Sequence, residues 1–203
     1  MKYSALRHSI ILVLIALAIG ACSSSKPIGE WRSDDFSGAL DNFLVIGVTS
    51  QSARRRVFED NFVSGLAALE VNATPSYKLL ASSLELDKEI VKKAIAGKDI
   101  GAVLVTRLAG FSEKEVYRQS SDLDENLSYF SISGDGVKQI ESGSYEQHVV
   151  LTLETKVYDI ASEALVWSMQ SEVIDPTQSR QAIQDQIKLT IDTLRKRGLV
   201  GNQ

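Results

Sequence analysis

The sequence predicts an α/β fold, a single-domain sandwich with a mixed sheet in the order β-α-(β)-α-β, followed by an antiparallel hairpin and a C-terminal helix. Three observations carry this expectation. Phe43-Leu44-Val45-Ile46-Gly47-Val48 and Ala102-Val103-Leu104-Val105-Thr106 are continuous apolar, β-branched runs, the pattern of strands buried on both faces. The stretches between them repeat their apolar residues at helical spacing. From Val149 to Val173 the period changes to two, as in strands with one covered face and one wet face.

The first strand, at Phe43, is followed by a helix over roughly Ala53 to Glu70, where Phe58, Phe62, Leu66 and Leu69 form one stripe. Thr74-Pro75-Ser76 breaks the chain before a short segment around Tyr77 to Leu80 that supplies the bracketed strand. Ser82-Ser83-Leu84-Glu85 has the spacing of a capping box, and Leu86, Ile90, Val91, Ala94 and Ile95 follow at helical period until Gly97. The strand from Ala102 closes the first half.

Ser112 to Glu146 is rich in Ser, Asp, Glu and Gly, and is read as an insertion at about 112–146. So long a structureless loop is improbable in a compact domain, so one reading is a further hairpin with Leu127 to Ser133 as candidate strand and Gly134-Asp135-Gly136 the turn; the other is a mobile surface insertion. Val149, Leu151, Leu153, Thr155 and Val157 then alternate with His148, Val150, Thr152, Glu154, Lys156 and Tyr158. After Asp159-Ile160-Ala161-Ser162-Glu163, Leu165, Trp167, Met169 and Val173 resume the alternation, which makes an antiparallel hairpin. Ile183, Ile187, Ile191 and Leu194 define the last helix. It ends in Arg195-Lys196-Arg197-Gly198, where cations meet the negative end of the dipole and glycine accepts a left-handed conformation.

The N-terminus has a different character. Lys2 and Arg7 precede an unbroken apolar run from Ile10 to Ile19, and Ile19-Gly20-Ala21 places small residues before Cys22, the single cysteine. The apolar run covers roughly 15 Å as a helix, about half of a bilayer core. This arrangement resembles the lipobox of bacterial lipoproteins. The resemblance implies residues 1–21 as a lipoprotein signal peptide, removal of that peptide, acylation of Cys22, and anchorage in a lipid bilayer through the acylated Cys22. Ser23, where inner-membrane retention uses Asp, implies the periplasmic face of the outer membrane in a Gram-negative organism. Residues 22–38 are polar and breaker-rich, and read as a flexible tether reaching roughly 20 Å, with Trp31 and Phe36 either packing on the domain or dipping into headgroups. The α/β domain occupies residues 39–200.

Charge and composition narrow the function. The chain has 22 Lys and Arg against 26 Asp and Glu, a net charge of −4. Removing residues 1–21 takes away Lys2 and Arg7 and no acid, so 20 bases face 26 acids and the net charge is −6. A domain this acidic is a poor binder of polyanions, so no nucleic-acid partner is expected. Lipidation of Cys22 consumes the only thiol, and His148 is then the only histidine, which leaves too few ligands for an ordinary zinc site. His148 itself falls on the solvent register of a strand. No nucleophile elbow, dinucleotide fingerprint or P-loop occurs. Asp122-Leu123-Asp124-Glu125-Asn126 imitates a calcium loop, but Leu127 stands where glycine is required and Ser133 where the twelfth-position carboxylate belongs. No metal, no cofactor and no enzymatic activity are expected.

The order of elements, with Val157-Tyr158-Asp159 and Leu165-Val166-Trp167-Ser168 on the hairpin, resembles a group of envelope lipoproteins with one α/β sandwich domain. That group includes the curli-secretion channel lipoprotein and the lipoprotein activator of a penicillin-binding protein. The resemblance covers about 150 residues in order of elements and few in identity. It implies an assembly or regulatory factor; no long amphipathic transmembrane hairpin is evident, so a pore is not implied.

Arg54-Arg55-Arg56 is the one local feature that breaks a rule, because cations in a first helical turn oppose the dipole. Glu59 and Asp60 offset part of this. With Thr49, Ser50, Ser52 and free helix amides, the three arginines form a candidate anion or partner site at the end of a strand. Two functions follow: a membrane-anchored, non-catalytic binding factor that engages another envelope protein, or a periplasmic binder of a small anionic ligand or glycan. The first predicts an exposed apolar patch, through residues such as Tyr117, Tyr129, Phe130 and Tyr145; the second predicts a concavity near Arg54 to Arg56.

Overall fold

The computed structural model describes residues 25–83, 86–119, 143–174 and 180–201. Six strands form one mixed sheet in the order β1-β6-β5-β4-β2-β3. They are β1 (Ser25–Arg32), β2 (Phe43–Val48), β3 (Ala73–Pro75), β4 (Ala102–Gln119), β5 (Gly143–Asp159) and β6 (Leu165–Ile174). Helix α1 spans Ser52–Ala67, α2 Lys88–Ile95 and α3 Arg180–Lys196. β2 lies parallel to both β3 and β4, whereas β4, β5, β6 and β1 pair antiparallel in succession. This is the α/β mixed-sheet fold expected from the sequence.

The sheet has two unequal cores. On one face Phe43 and Val45 of β2, Leu104 of β4, Val157 of β5, and Trp167 and Met169 of β6 meet Phe62 and Leu66 of α1 and Ile187, Ile191 and Leu194 of α3. The predicted stripe on α1 is the buried one, with Phe58 and Leu69 packed at its edges. Gly47 lets the Phe58 ring pack close to β2, since a Cβ there would meet the ring at 3.0 Å and push it outward. Trp167 is fully buried, and its indole N–H donates to Glu30 at 2.9 Å. Beyond α3, Gly198 takes φ 66°, the left-handed stop read from the sequence, and turns Leu199 and Val200 back into the core.

Among the described residues the opposite face is covered only in part. Leu44 and Ile46 of β2 and Val103 of β4 pack against Ile95 of α2 and Leu80. At about 1.5 Å per residue, a helix of eight residues reaches roughly 12 Å, less than the strands beneath it. The remainder of this face carries charge.

Four expectations are corrected. Ser25–Arg32, placed in the flexible tether, is instead an edge strand on β6, with a register shift between Pro27 and Gly29. Its backbone pairs with β6, and Glu30 binds Trp167 and Arg197, so partners distant in sequence order it. The break at Thr74-Pro75-Ser76 contains the short parallel strand β3, and Ser76–Lys78 is a 3₁₀ turn, so the extra strand precedes Tyr77. α2 is capped by Asp87, which accepts from the Ile90 amide at 2.7 Å, not by Ser82; Ser83 is buried, exchanging hydrogen bonds with the Thr49 backbone. Finally, β4 and β5 run on to Gln119 and back from Gly143, so residues 112–119 and 143–146 are paired strand and not insertion. Both arms are long, 18 and 17 residues. Leu127 to Ser133 and the Gly134-Asp135-Gly136 turn lie outside the described residues.

Candidate functional site

The three arginines do not act together. Arg55 is buried, with 4 % of its surface exposed, and Glu59, one turn later, is fully buried. The Arg55 Nε donates to Glu59 Oε1 at 3.0 Å and its Nη2 to Ser76 Oγ at 2.8 Å. Glu59 also accepts from the Ser76 hydroxyl at 2.7 Å and from the amides of Gly47 and Tyr77, each at 3.0 Å. The reason is local: β3 pairs with β2 only through Pro75, opposite Val45, and the Glu59 carboxylate takes the Gly47 amide beyond that point. Arg55 is therefore a structural cation and is withdrawn from the candidate anion site. Arg54, Ser50 and Ser52 are exposed, and the Arg56 guanidinium lies 4.9 Å from the centre of the Tyr77 ring. The Tyr77 hydroxyl donates to Asp60 at 2.7 Å, and this bond raises its pKa.

A cavity of about 500 Å³ lies on the other face of the sheet, beside α2. Strand register builds its floor in three rungs, Val103–Tyr158, Ile46–Val105–Lys156 and Val48–Arg107–Glu154. Side chains two apart along a strand share a face, so each step toward the C-terminal ends of parallel β2 and β4 adds charge. Val91 and Ile95 of α2 and Leu86 form an apolar wall. Two ion clusters stand at the rim. Glu154 binds Arg107 at 2.6 Å and Lys156 at 3.2 Å, and Glu163 binds both Lys88 and Lys92. Burial raises the Glu154 pKa, but the bonds from Lys156 and Arg107 outweigh it and hold the carboxyl below its ordinary range. The Lys88 and Lys92 bonds bring Glu163 down to about 2. The other two carboxylates at the rim have local tasks: Asp87 caps α2, and Asp159 accepts from the Ser162 amide and hydroxyl at 2.8 and 2.6 Å.

The hairpin β4–β5 carries a third feature. Thr106 and Thr155 share a hydrogen bond of 3.0 Å on the face toward α1 and α3, and the next pairs outward on that face are Leu108–Leu153 and Phe111–Leu151. Leu108 and Phe111 are 51 % and 62 % exposed, and Tyr145, further along the same register of β5, is 71 % exposed. The result is a short apolar strip at Leu108 and Phe111, separated from Tyr145 by the pairs Glu113–Val149 and Glu115–Gln147 on the same face. Tyr117 holds the register position opposite Tyr145. Tyr129, Phe130 and Cys22 lie outside the described residues.

His148 is partly buried on β5, with Nε2 at 3.6 Å from Glu146 Oε2. Among the described residues no group of three or more His, Cys, Asp or Glu side chains is placed to hold a metal ion. No helix there is long and apolar enough to cross a membrane. Sequence reasoning missed Leu108 and Phe111, although Leu108-Ala109-Gly110-Phe111 directly continues an apolar strand. It also missed Arg107 and Lys156 as a pair, because only cross-strand register brings them to one carboxylate.

No protein-family model and no curated protein matches the chain. Among solved structures it is similar to the PelC dodecamer from Paraburkholderia phytofirmans, at 12% identity and a TM-score of 0.46, over 88% of this chain and 99% of that one. A substituted form of the same dodecamer aligns at 12% identity and a TM-score of 0.45, over 84% of this chain and 98% of that one. A likeness of this size carries neither an activity nor a partner across.

Proposed function

We propose that the chain is a membrane-anchored lipoprotein of the bacterial cell envelope, held by acylated Cys22 at the periplasmic face of the outer membrane. Its domain is a non-catalytic assembly or regulatory factor that docks on another envelope protein. The observation that carries the docking is the strip Leu108 and Phe111 on the β4–β5 hairpin, large apolar side chains exposed on a paired, ordered frame, with exposed Tyr145 further along the same arm. The lipobox resemblance of Ile19-Gly20-Ala21-Cys22 carries the anchor.

Two measurements test these parts separately. Metabolic labelling with palmitate marks the wild-type chain and not Cys22→Ser, which leaves the membrane fraction; equal labelling of both overturns the anchor. A photo-cross-linking residue at Phe111 captures one discrete protein in cells, and the adduct disappears when Leu108→Asp is added. The same residue at Arg54 gives no such adduct. Identical products from both sites overturn docking through the hairpin. The alternative, a binder of a small anionic ligand at Arg54 to Arg56, loses its central arginine to Glu59.

A further inference from the structure

The cavity beside α2 has a polarity gradient that matches one class of molecule. Its inner floor is aliphatic, from Ile46, Val103 and Val105, and its wall is Val91 and Ile95. Arg107 of the outer rung and Lys156 of the rung beside it meet a single carboxylate, Glu154, so the cluster carries one positive charge in excess. Lys88 and Lys92 around Glu163 again set two cations on one carboxylate, with Glu89 a further acid acting on Lys92. Asp87 is set against the positive end of the α2 dipole, and Asp159 against two donors of the Ser162 turn. The volume is that of an ordinary small-molecule site, and the position, at the C-terminal ends of parallel strands, is where α/β sheets hold ligands.

We propose that this cavity binds a single-chain amphipathic anion, an acyl chain lying along Ile46, Val103 and Val105 with its carboxylate or phosphate head at Arg107 and Lys156. The head adds to an existing ion cluster with an uncompensated cation, and the tail removes aliphatic surface from water. The site is independent of the hairpin strip, which lies on the opposite face of the sheet.

The test uses the full chain in membranes and a photoreactive diazirine analogue of laurate. Labelling is expected on residues 86–95 and 103–107, and unlabelled laurate removes it. Val91→Trp fills the cavity and lowers labelling at least tenfold, with the thermal midpoint of unfolding retained. The Arg107→Ala/Lys156→Ala pair lowers it about fivefold for the laurate probe and leaves an uncharged dodecanol probe unchanged. Competition by dodecyl phosphate at lower concentration than laurate points to a lipid phosphate head; the reverse order points to a free fatty acid. Should Val91→Trp fail to fold, wild-type competition decides alone. Labelling that laurate cannot displace, or that is spread evenly over the chain, overturns the proposal. None of these variants touches Leu108, Phe111 or Tyr145, so this result and the docking result are read separately.

Discussion

Arg54, Arg55 and Arg56 are adjacent and chemically identical, yet only Arg55 is buried against Glu59. Breaking a buried pair strands the partner's charge, so Arg55→Ala or Glu59→Ala is expected to cost about 3–5 kcal/mol. Arg54→Ala should stay within about 0.5 kcal/mol. Urea unfolding of the three variants checks this, and equal losses at Arg54 and Arg55 would contradict the buried network. Glu163 gives a second test at this scale. Its pKa falls from 4.5 to about 2 because Lys88 and Lys92 bind it, so its favourable contribution is complete above about 4.5 and fades as pH drops toward 2. A side-chain carboxyl titration by NMR should place its midpoint near 2, moving up toward 4.5 in Lys88→Ala/Lys92→Ala; a wild-type midpoint at 4.5 rules out the cluster.

Each element depends on one or two contacts that its own sequence does not announce. β1 is polar, with Ile28 and Trp31 both about half exposed, and is held by pairing with β6 and by Glu30. Arg197 donates to Glu30 at 2.7 and 2.6 Å, and this bond, first among several causes, lowers the Glu30 pKa and ties the edge strand to the end of α3. α2 is short, and its Asp87 cap matters more for that reason: Asp87→Ala should cost about 1 kcal/mol in thermal unfolding. At Gly101 the limit is steric, since a Cβ would stand 2.8 Å from the Asp41 carbonyl oxygen. The obstacle is backbone and cannot rotate away, so Gly101→Ala should destabilise by about 1–3 kcal/mol, measured by the same unfolding. A loss below about 0.3 kcal/mol would mean that the β2–β4 approach is looser than described. β2, α1 and the inner part of β4 were legible because they bury continuous or periodic apolar runs. The outer halves of β4 and β5 were not, because paired arms with solvent around them carry Glu113, Lys114 and Glu115 and read as loop.

At the scale of the whole sheet, among the described residues, one face is closed by α1 and α3 and the other half-closed by the short α2, and the β4–β5 hairpin runs past both. Leu108→Asp, with the cross-linking residue kept at Phe111, tests what that geometry is for. An exposed position tolerates charge, so the thermal midpoint should be unchanged while the cross-linked partner is lost; a fall in stability would show the strip to be core. By itself the amino-acid sequence determined the α/β class, the stripes of α1 and α3, the glycine stop after α3 and the expectation of an anchor at Cys22. Those properties are local: periodicity, turn chemistry and a contiguous motif. Only the tertiary structure decided which arginine is buried, that Ser25–Arg32 is a strand, and that Arg107, Lys156 and Glu154 meet at the mouth of a cavity. These depend on register between strands remote in sequence, and a shift of one residue would send each of those side chains to the other face.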